Sequence, residues 1–399
     1  MRHYTGEGRI YSKTTTMNKL IYLIALLFIF SCHSPTPQDS HAAEGSGDTI
    51  QAATTVRYAH GFTIDYHDGF KVVHILDRNS NKFDTLEYLL VQRGHPVPTG
   101  YPRAQLITIP VQTMIATSST HIGIADFVGV ADRITGLGSF KYVNSPIVRE
   151  NIRAHKTVEV GIDENLNNEL LISLHPGLLM AMSNPEANAA KYKVLTDAGI
   201  PVIVNAEWLE NTPLGKAEWV KLMAALTNRE ALVDKKFDSV VTIYDSLAQL
   251  GHQAKTHPHI IIGMPFKGAW FMPAGDSYAA HFIKDAGGGY AWADSKGTGS
   301  LSLNFESAAP EALKAEYWLN LGYVTSKQDI LAKDPRYASF QSYKTGNLYN
   351  FDKKTNDLGS NDYWESGVVN PHIVLADMIS ILHPELLPGH TLVYYRQLK

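Results

Sequence analysis

Residues 62–76, FTIDYHDGFKVVHIL, alternate apolar and polar positions on both sides of His67-Asp68-Gly69. Successive side chains of a strand point to opposite faces, so this stretch predicts two half-buried strands joined by a tight Asp-Gly turn. From about residue 105 the pattern changes. Short apolar runs of strand length now alternate with stretches whose apolar residues recur at helical spacing. Leu106–Ile109, Val111–Ile115, Leu178–Met182 and Val202–Val204 read as strands. Strands alternating with helices predict an α/β domain built on a mainly parallel sheet. A second α/β pattern opens with the strand His259–Gly263. It continues through a helix at Ala279–Ala286 ended by Gly287-Gly288-Gly289, a helix at Glu306–Leu313, a strand at Tyr317–Leu319 and a helix at Pro371–His383. Proline in the first turn suits that last helix, because the N–H it lacks would have no helical partner there.

The two patterns are separated by the longest helical stretch of the chain, residues 215–251. Thr227-Asn228 are placed to cap its second part. Val233, Phe237, Val240, Tyr244 and Leu247 then recur at three- and four-residue steps and mark one buried face. Residues 229–249 hold neither proline nor glycine. A helix without them resists bending, so only a small hinge motion is expected. The fold class is therefore α/β: two lobes, each a parallel-type sheet with flanking helices, joined by one long linker helix, with a cleft between the lobes. The expected boundaries are an N-terminal lobe at 56–226, the linker at 227–251 and a C-terminal lobe at 252–399.

One element recurs in both lobes. In NNELLISLHPGLLMAMS (167–183), Glu169 opens a helix that leads into the strand Leu178–Met182. In NFESAAPEALKAEYWLN (304–320), Glu306 does the same before Tyr317–Leu319. A carboxylate in a first turn is favourable with the helix dipole, by about 0.3–1 kcal/mol. That explains either residue but does not require both.

The N-terminus carries a different signal. MNKLIYLIALLFIFSC begins at Met17, the expected true start, with one lysine. It then runs through an apolar core of about eleven residues, Leu20–Phe30, the length of a signal-peptide core and short of the roughly twenty that span a bilayer. The run stops at Cys32, the only cysteine, so no internal disulfide can form. Residues 1–32 read as a signal segment. Residues 33–55, polar and rich in small side chains, read as a flexible tether. Of the 399 residues 44% are hydrophobic and 19% charged, ordinary for a globular chain with a sizeable core. The formal net charge of −4 gives no reason to expect nucleic acid.

Ile29-Phe30-Ser31-Cys32 resembles a bacterial lipobox, which implies lipidation at Cys32 and a membrane-anchored periplasmic lipoprotein. Further stretches are similar to the substrate-binding proteins of ABC importers for iron complexes, haem and cobalamin, over roughly residues 56–399. IATSSTHIGIADFVGVADRITGLG resembles that family's first strand, loop and helix. NNELLISLHPGLLMA resembles its NLE…KPDLVLA segment, with His175 for the usual lysine and Gly177 for the usual aspartate. PAGDSYAAHFIKDAGGGYAW and NDYWESGVVNPHIVLADMI resemble C-lobe segments. The resemblance implies a monomer with no intrinsic cofactor that carries a metal chelate to a permease dimer and its ATPase subunits. It also implies a role for the repeated carboxylates: one per lobe, Glu169 and Glu306, docks onto an arginine of each permease subunit.

Ligands of open α/β sheets bind at the carboxyl ends of strands. That rule nominates Ser118, Ser119, Thr120 and His121 after the first strand of the N-lobe, Ser183 and Asn184 after Leu178–Met182, and Asn205, Glu207 and Trp208 after Val202–Val204. From the C-lobe it nominates Lys267, Trp270, Phe271 and Tyr278. Tyr363 and Trp364 belong to a segment similar to a family cleft stretch that supplies an aromatic contact. Capping explains Ser118 and Thr120 equally well. His121 could ligate a metal through neutral imidazole or simply cap its helix. His257-Pro258-His259 has no third ligand nearby and reads as a solvated turn. An aromatic cleft suits a large, flat ligand, cobalamin or haem. A strongly anionic ferric siderophore would call for several convergent Arg or Lys, where these loops offer mainly Lys267.

The alternative is an enzyme or chelatase-like protein on a similar scaffold. The sequence holds no G-x-S-x-G elbow, no phosphate loop and no H-E-x-x-H. Asp276, Asp285 and Asp294 lack the setting of an acid–base pair.

Overall fold

The computed structural model describes residues 53–77, 84–162, 165–182 and 189–399. Cys32, its apolar run, most of the tether, Ser183 and Asn184 lie outside the described residues.

The Asp-Gly hairpin forms as the alternation predicts. Strands β1 (Phe62–His67) and β2 (Phe70–Asp77) pair antiparallel from Phe62 with Ile75 to His67 with Phe70. Gly69 closes the two-residue turn at φ 77°, a conformation few other residues adopt. Next to β2 run β3 (Asp84–Gln92) and β4 (Gln105–Ile109), completing a four-stranded N-terminal sheet. The expected strand Leu106–Ile109 thus belongs here and not to the parallel sheet of the lobe. The expected strand Val111–Ile115 shrinks to β5 (Met114–Ala116). Pro110 has no N–H to donate and interrupts the ladder. Val111 is buried beyond it and donates its N–H to the Leu226 carbonyl.

The N-lobe sheet is parallel, in the order β7-β6-β5-β8-β9, with β6 at Ile134–Leu137, β7 at Val158–Glu159, β8 at Leu178–Met182 and β9 at Val202–Asn205. Strand β9 is its edge, and an unpaired edge invites foreign strands. Two side chains of the N-terminal sheet cover it: Val202 N–H donates to Gln105 and Val204 N–H to the Tyr88 hydroxyl. In the C-lobe, β10 (Ile260–Ile262), β13 (Tyr317–Leu319) and β14 (Leu348–Asn350) run parallel, and β15 (Arg396–Gln397) closes the sheet antiparallel. A hairpin of β11 (Trp270–Pro273) and β12 (Ser300–Leu303) stands beside them.

The linker helix spans Glu230–His252, 23 residues, or about 34 Å at 1.5 Å per residue. Val233, Phe237, Val240 and Tyr244 are its buried face, as the spacing predicts. Its start differs from expectation. Asn228 does not cap it; at φ 56° it ends the preceding helix, Val220–Thr227, in the left-handed conformation. The Asn228 side chain is used elsewhere, accepting from Lys71 Nζ at 2.9 Å and donating to Gln92. Lys71 is fully buried on β2 and pairs with Glu230 in the first turn of the linker. The chain before β1 is strapped on by two buried carboxylates. Glu218 accepts the N–H groups of Arg57, Tyr58 and Ala59; Glu210 accepts those of His60 and Gly61 and the Trp219 indole.

One core joins the N-terminal sheet, the N-lobe, the linker and residues 363–395, and reaches into the C-lobe at Ile260, Ile262, Phe282, Ile283 and Leu319. A second, aromatic core fills the C-lobe around Trp270, Trp318, Tyr337 and Phe340. Among the described residues no helix is long and apolar enough to cross a membrane.

Candidate functional site

The carboxyl end of β5 runs into Ser118, which caps the helix Ser119–Val128. Its hydroxyl accepts from Thr120 N–H at 3.3 Å and lies 2.9 Å from the Thr120 hydroxyl. Ser118 and Ser119 are partly exposed at the mouth of this turn. Thr120 and His121 turn inward and are buried. Burial disfavours the charged imidazole, so the His121 pKa is pushed down to about 3. A backbone contact at Met180 opposes this shift without reversing it. His121 is thus a neutral histidine buried under the loop.

Behind the loop lies a buried polar chain. Glu207 opens a short helical turn after β9, with its N–H donated to Asn205. Burial raises its carboxyl pKa, while the Lys216 charge and a bond from the Thr120 hydroxyl pull it back. Lys216 is buried and its pKa lowered by that burial, with Glu207 opposing. Its ammonium sits 4.9 Å from the Tyr278 ring centroid, a cation–π contact across from the C-lobe. The Tyr278 and Tyr363 hydroxyls bond to each other, and burial moves both pKa values up, Tyr363 to about 12. Glu207 and Tyr363 are therefore buried behind the loop, while Tyr278 keeps part of its surface exposed.

Among the nominated residues the exposed aromatics are Trp208 (41%), Phe271 (49%) and Trp364 (45%). Trp364 stands edge-on to Tyr363 at 5.0 Å and to Phe351 at 5.5 Å, and Phe351 stacks on Tyr363 at 4.6 Å. Across from it, the Ser119 hydroxyl donates to the Trp364 carbonyl at 3.3 Å, bringing the two lobes' nominated loops together. Lys267 is exposed, in a left-handed turn at φ 50°, with its ammonium 5.3 Å from the Phe266 ring centroid.

Trp270 is a correction. It is fully buried, stacks between Phe305 and Phe340 and donates its indole N–H to the Ile262 carbonyl at 2.9 Å. The glycines and prolines around it suggested a loop, but Trp270 and Phe271 lie on β11, where neighbours face opposite sides. Phe271 faces out and Trp270 packs the core. Phe351 was missed because β14 is only a three-residue strand in a polar stretch. Lys216 was missed because a lysine in a helical run reads as solvated.

Glu169 and Glu306 occupy matching places. Each is the second residue of its helix (Asn168–Leu174 and Phe305–Lys314), behind an asparagine cap whose side chain accepts the third N–H: Asn167 from Leu170, Asn304 from Ser307. Both carboxylates are exposed. Each helix leads into the strand that pairs with its lobe's first strand, β8 with β5 and β13 with β10.

Two parallel-sheet lobes bearing aromatic and hydroxyl side chains at their strand ends define a two-lobed binding-protein fold. The chain belongs to the periplasmic binding protein family, whose model matches residues 114–355, more than half of its length. The N-terminal sheet precedes the matched region. The chain is 27% identical to an uncharacterized lipoprotein of Methanocaldococcus jannaschii, over 81% of its own length and 77% of that protein's. It is 26% identical to a second lipoprotein of the same organism, over 86% and 87%. Similar solved structures include a possible iron-binding periplasmic solute-binding protein of Staphylococcus epidermidis (TM-score 0.53, 15% identity, covering 69% of this chain and 99% of that one). The periplasmic haem-binding protein HutB of Vibrio cholerae (0.51, 16%, 66% and 98%) and the Ni(II)-bound CeuE of Helicobacter pylori (0.52, 19%, 74% and 91%) share the fold.

Proposed function

We propose that this protein captures a large, flat metal chelate, of the haem or corrinoid type, between its lobes and delivers it to an ABC permease. The carrying observation is that Trp208, Phe271 and Trp364, each beside a strand-end loop or on a strand of one of the lobes, stand half-exposed, with Trp364 tied to Ser119 of the first N-lobe loop. Half-exposed indoles keep apolar area in water that a flat ligand would cover, and stacking adds about 0.5–1.5 kcal/mol per ring pair. A ferric siderophore with several negative charges fits less well, since Lys267 is the cation these loops present. Family membership supports a binding role over the enzymatic alternative. Cys32 would carry the lipid that holds the protein at the periplasmic face of a membrane, in line with its lipoprotein relatives. Glu169 and Glu306 would engage the two permease subunits, one per lobe.

Titration with haemin and with cyanocobalamin, followed by absorbance, tests this reading. One of them should bind with a shifted spectrum, and Trp364→Ala should weaken that binding about tenfold while the fold is retained. Absence of binding to both would refute the chelate assignment.

A further inference from the structure

The linker helix is not the sole connection between the lobes. After β14 the chain leaves the C-lobe sheet near residue 353 and returns to it only at β15. What lies between is held by the other half of the molecule. The Glu365 carboxylate accepts the N–H groups of Asn144 at 2.7 Å and Ser145 at 2.6 Å. The Asn356 amide donates to the Lys141 and Val143 carbonyls, each at 2.9 Å. Arg149 pairs with Asp357 at 2.8 Å. Gly123 lies so close that a Cβ there would sit 2.1 Å from the Glu365 carbonyl oxygen. Further on, the helix Pro371–Leu382 packs along the linker helix. Its buried Asp377 gathers the N–H groups of Val393, Tyr394 and Tyr395. The aromatic core of the C-lobe does not include this segment; the core that does is built mostly from the N-lobe and the linker, with Ile260, Ile262, Phe282, Ile283 and Leu319 of the C-lobe at its margin.

We infer that residues 354–395 form one rigid body with the N-lobe and the linker helix, with Glu365 and Asn356 as positioning residues that fix Trp364 against Ser119. The polar side-chain ties of the segment toward the C-lobe include Tyr278–Tyr363, Asn320–Tyr395, Lys353 to the Leu392 carbonyl and His383 to the Gly287 carbonyl. Toward the N-lobe the ties are more numerous: both Glu365 oxygens, both Asn356 amide bonds, the Arg149–Asp357 pair and the close backbone approach at Gly123. The segment therefore stays with the N-lobe when the lobes move, and the moving body is the remainder of the C-lobe. Trp364 is then a preformed part of the binding surface, while Phe271 and Lys267 approach it. This division holds whatever the ligand is.

Spin-label distances test it, in a Cys32→Ser background free of other thiols. One labelled pair, Lys156→Cys with Leu358→Cys, spans the N-lobe and the segment. The other, Lys156→Cys with Lys314→Cys, spans the N-lobe and the body of the C-lobe. All three positions are exposed. The first pair should give a distance distribution about twofold narrower than the second, because hinge motion broadens only distances that cross the hinge. Equal widths, broad or narrow, overturn the inference. A narrow first pair that stays unchanged in Asn356→Ala/Glu365→Ala overturns the role of those two side chains; broadening there, with the melting transition still cooperative, supports it.

Discussion

Glu365 makes the joint between the lobes sensitive to pH, and the direction of the effect is opposite to that of a salt-bridged carboxylate. Burial is the largest influence on it and pushes its pKa from 4.5 up to about 8, the nearby Asp362 charge adding to the rise while the Asn144 and Ser145 amides resist it. In the unfolded chain Glu365 loses its proton near pH 4.5; in the folded chain it keeps it to about pH 8. Between those values the folded state binds more protons, so stability falls as pH rises through this window and levels off above it. At about 1.4 kcal/mol per pKa unit, the full change is about 5 kcal/mol. Glu365→Gln removes the titration. Glutamine offers one acceptor oxygen to two amides, so the variant loses about 1–3 kcal/mol at the low-pH end. Buried His121, with its pKa pushed down to about 3, acts in the opposite sense, favouring the folded chain as pH rises through the unfolded histidine range. The informative quantity is accordingly the wild-type minus variant difference. Denaturant melts of both proteins at pH 5, 6, 7, 8 and 9 (conditions chosen at about one-unit steps across the window) should show that difference falling with pH, changing sign and levelling off above about pH 8. Parallel curves would refute the argument and leave Glu365 ionised throughout the range.

Trp270→Ala should destabilise the protein by about 3–5 kcal/mol, since it empties the centre of the C-lobe's aromatic core; a melt within 1 kcal/mol of wild type (an order-of-magnitude threshold) would show that the core repacks. Glu169→Arg combined with Glu306→Arg should leave folding and ligand capture nearly unchanged while uptake through the cognate permease collapses, because close charge pairs shielded in an interface couple by about 1.5–7 kcal/mol. Normal uptake by that double variant would leave the two carboxylates with only their helix-dipole role. Cys32→Ala should release the protein from membranes into the soluble fraction; unchanged membrane association would exclude lipid anchoring at this residue.

Much of the architecture was legible in the chain. The hairpin at Asp68-Gly69, the strands at Leu178–Met182 and Val202–Val204, the linker's buried face and the matching helices behind Glu169 and Glu306 are local patterns. Each follows from strand or helix periodicity, a turn residue or a cap, and none needs a distant partner to be recognised. Other features depended on residues far apart in sequence. Leu106–Ile109 joined the N-terminal sheet because β3 offered a free edge, which periodicity cannot report. Asn228 left the linker's cap because Lys71 and Gln92, more than a hundred residues earlier in the numbering, supplied better partners for its side chain. Trp270 went to the core and Phe271 to the surface because pairing with β12 made a strand of a glycine- and proline-rich stretch. Thr120 and Glu207 sank beneath the loop because Lys216 reached Glu207 from another element. The identity of the strand-end loops was thus encoded locally. Which side chains face the ligand was decided by the packing of one element on another, since burial and hydrogen bonding are properties of the assembled fold and not of any single segment.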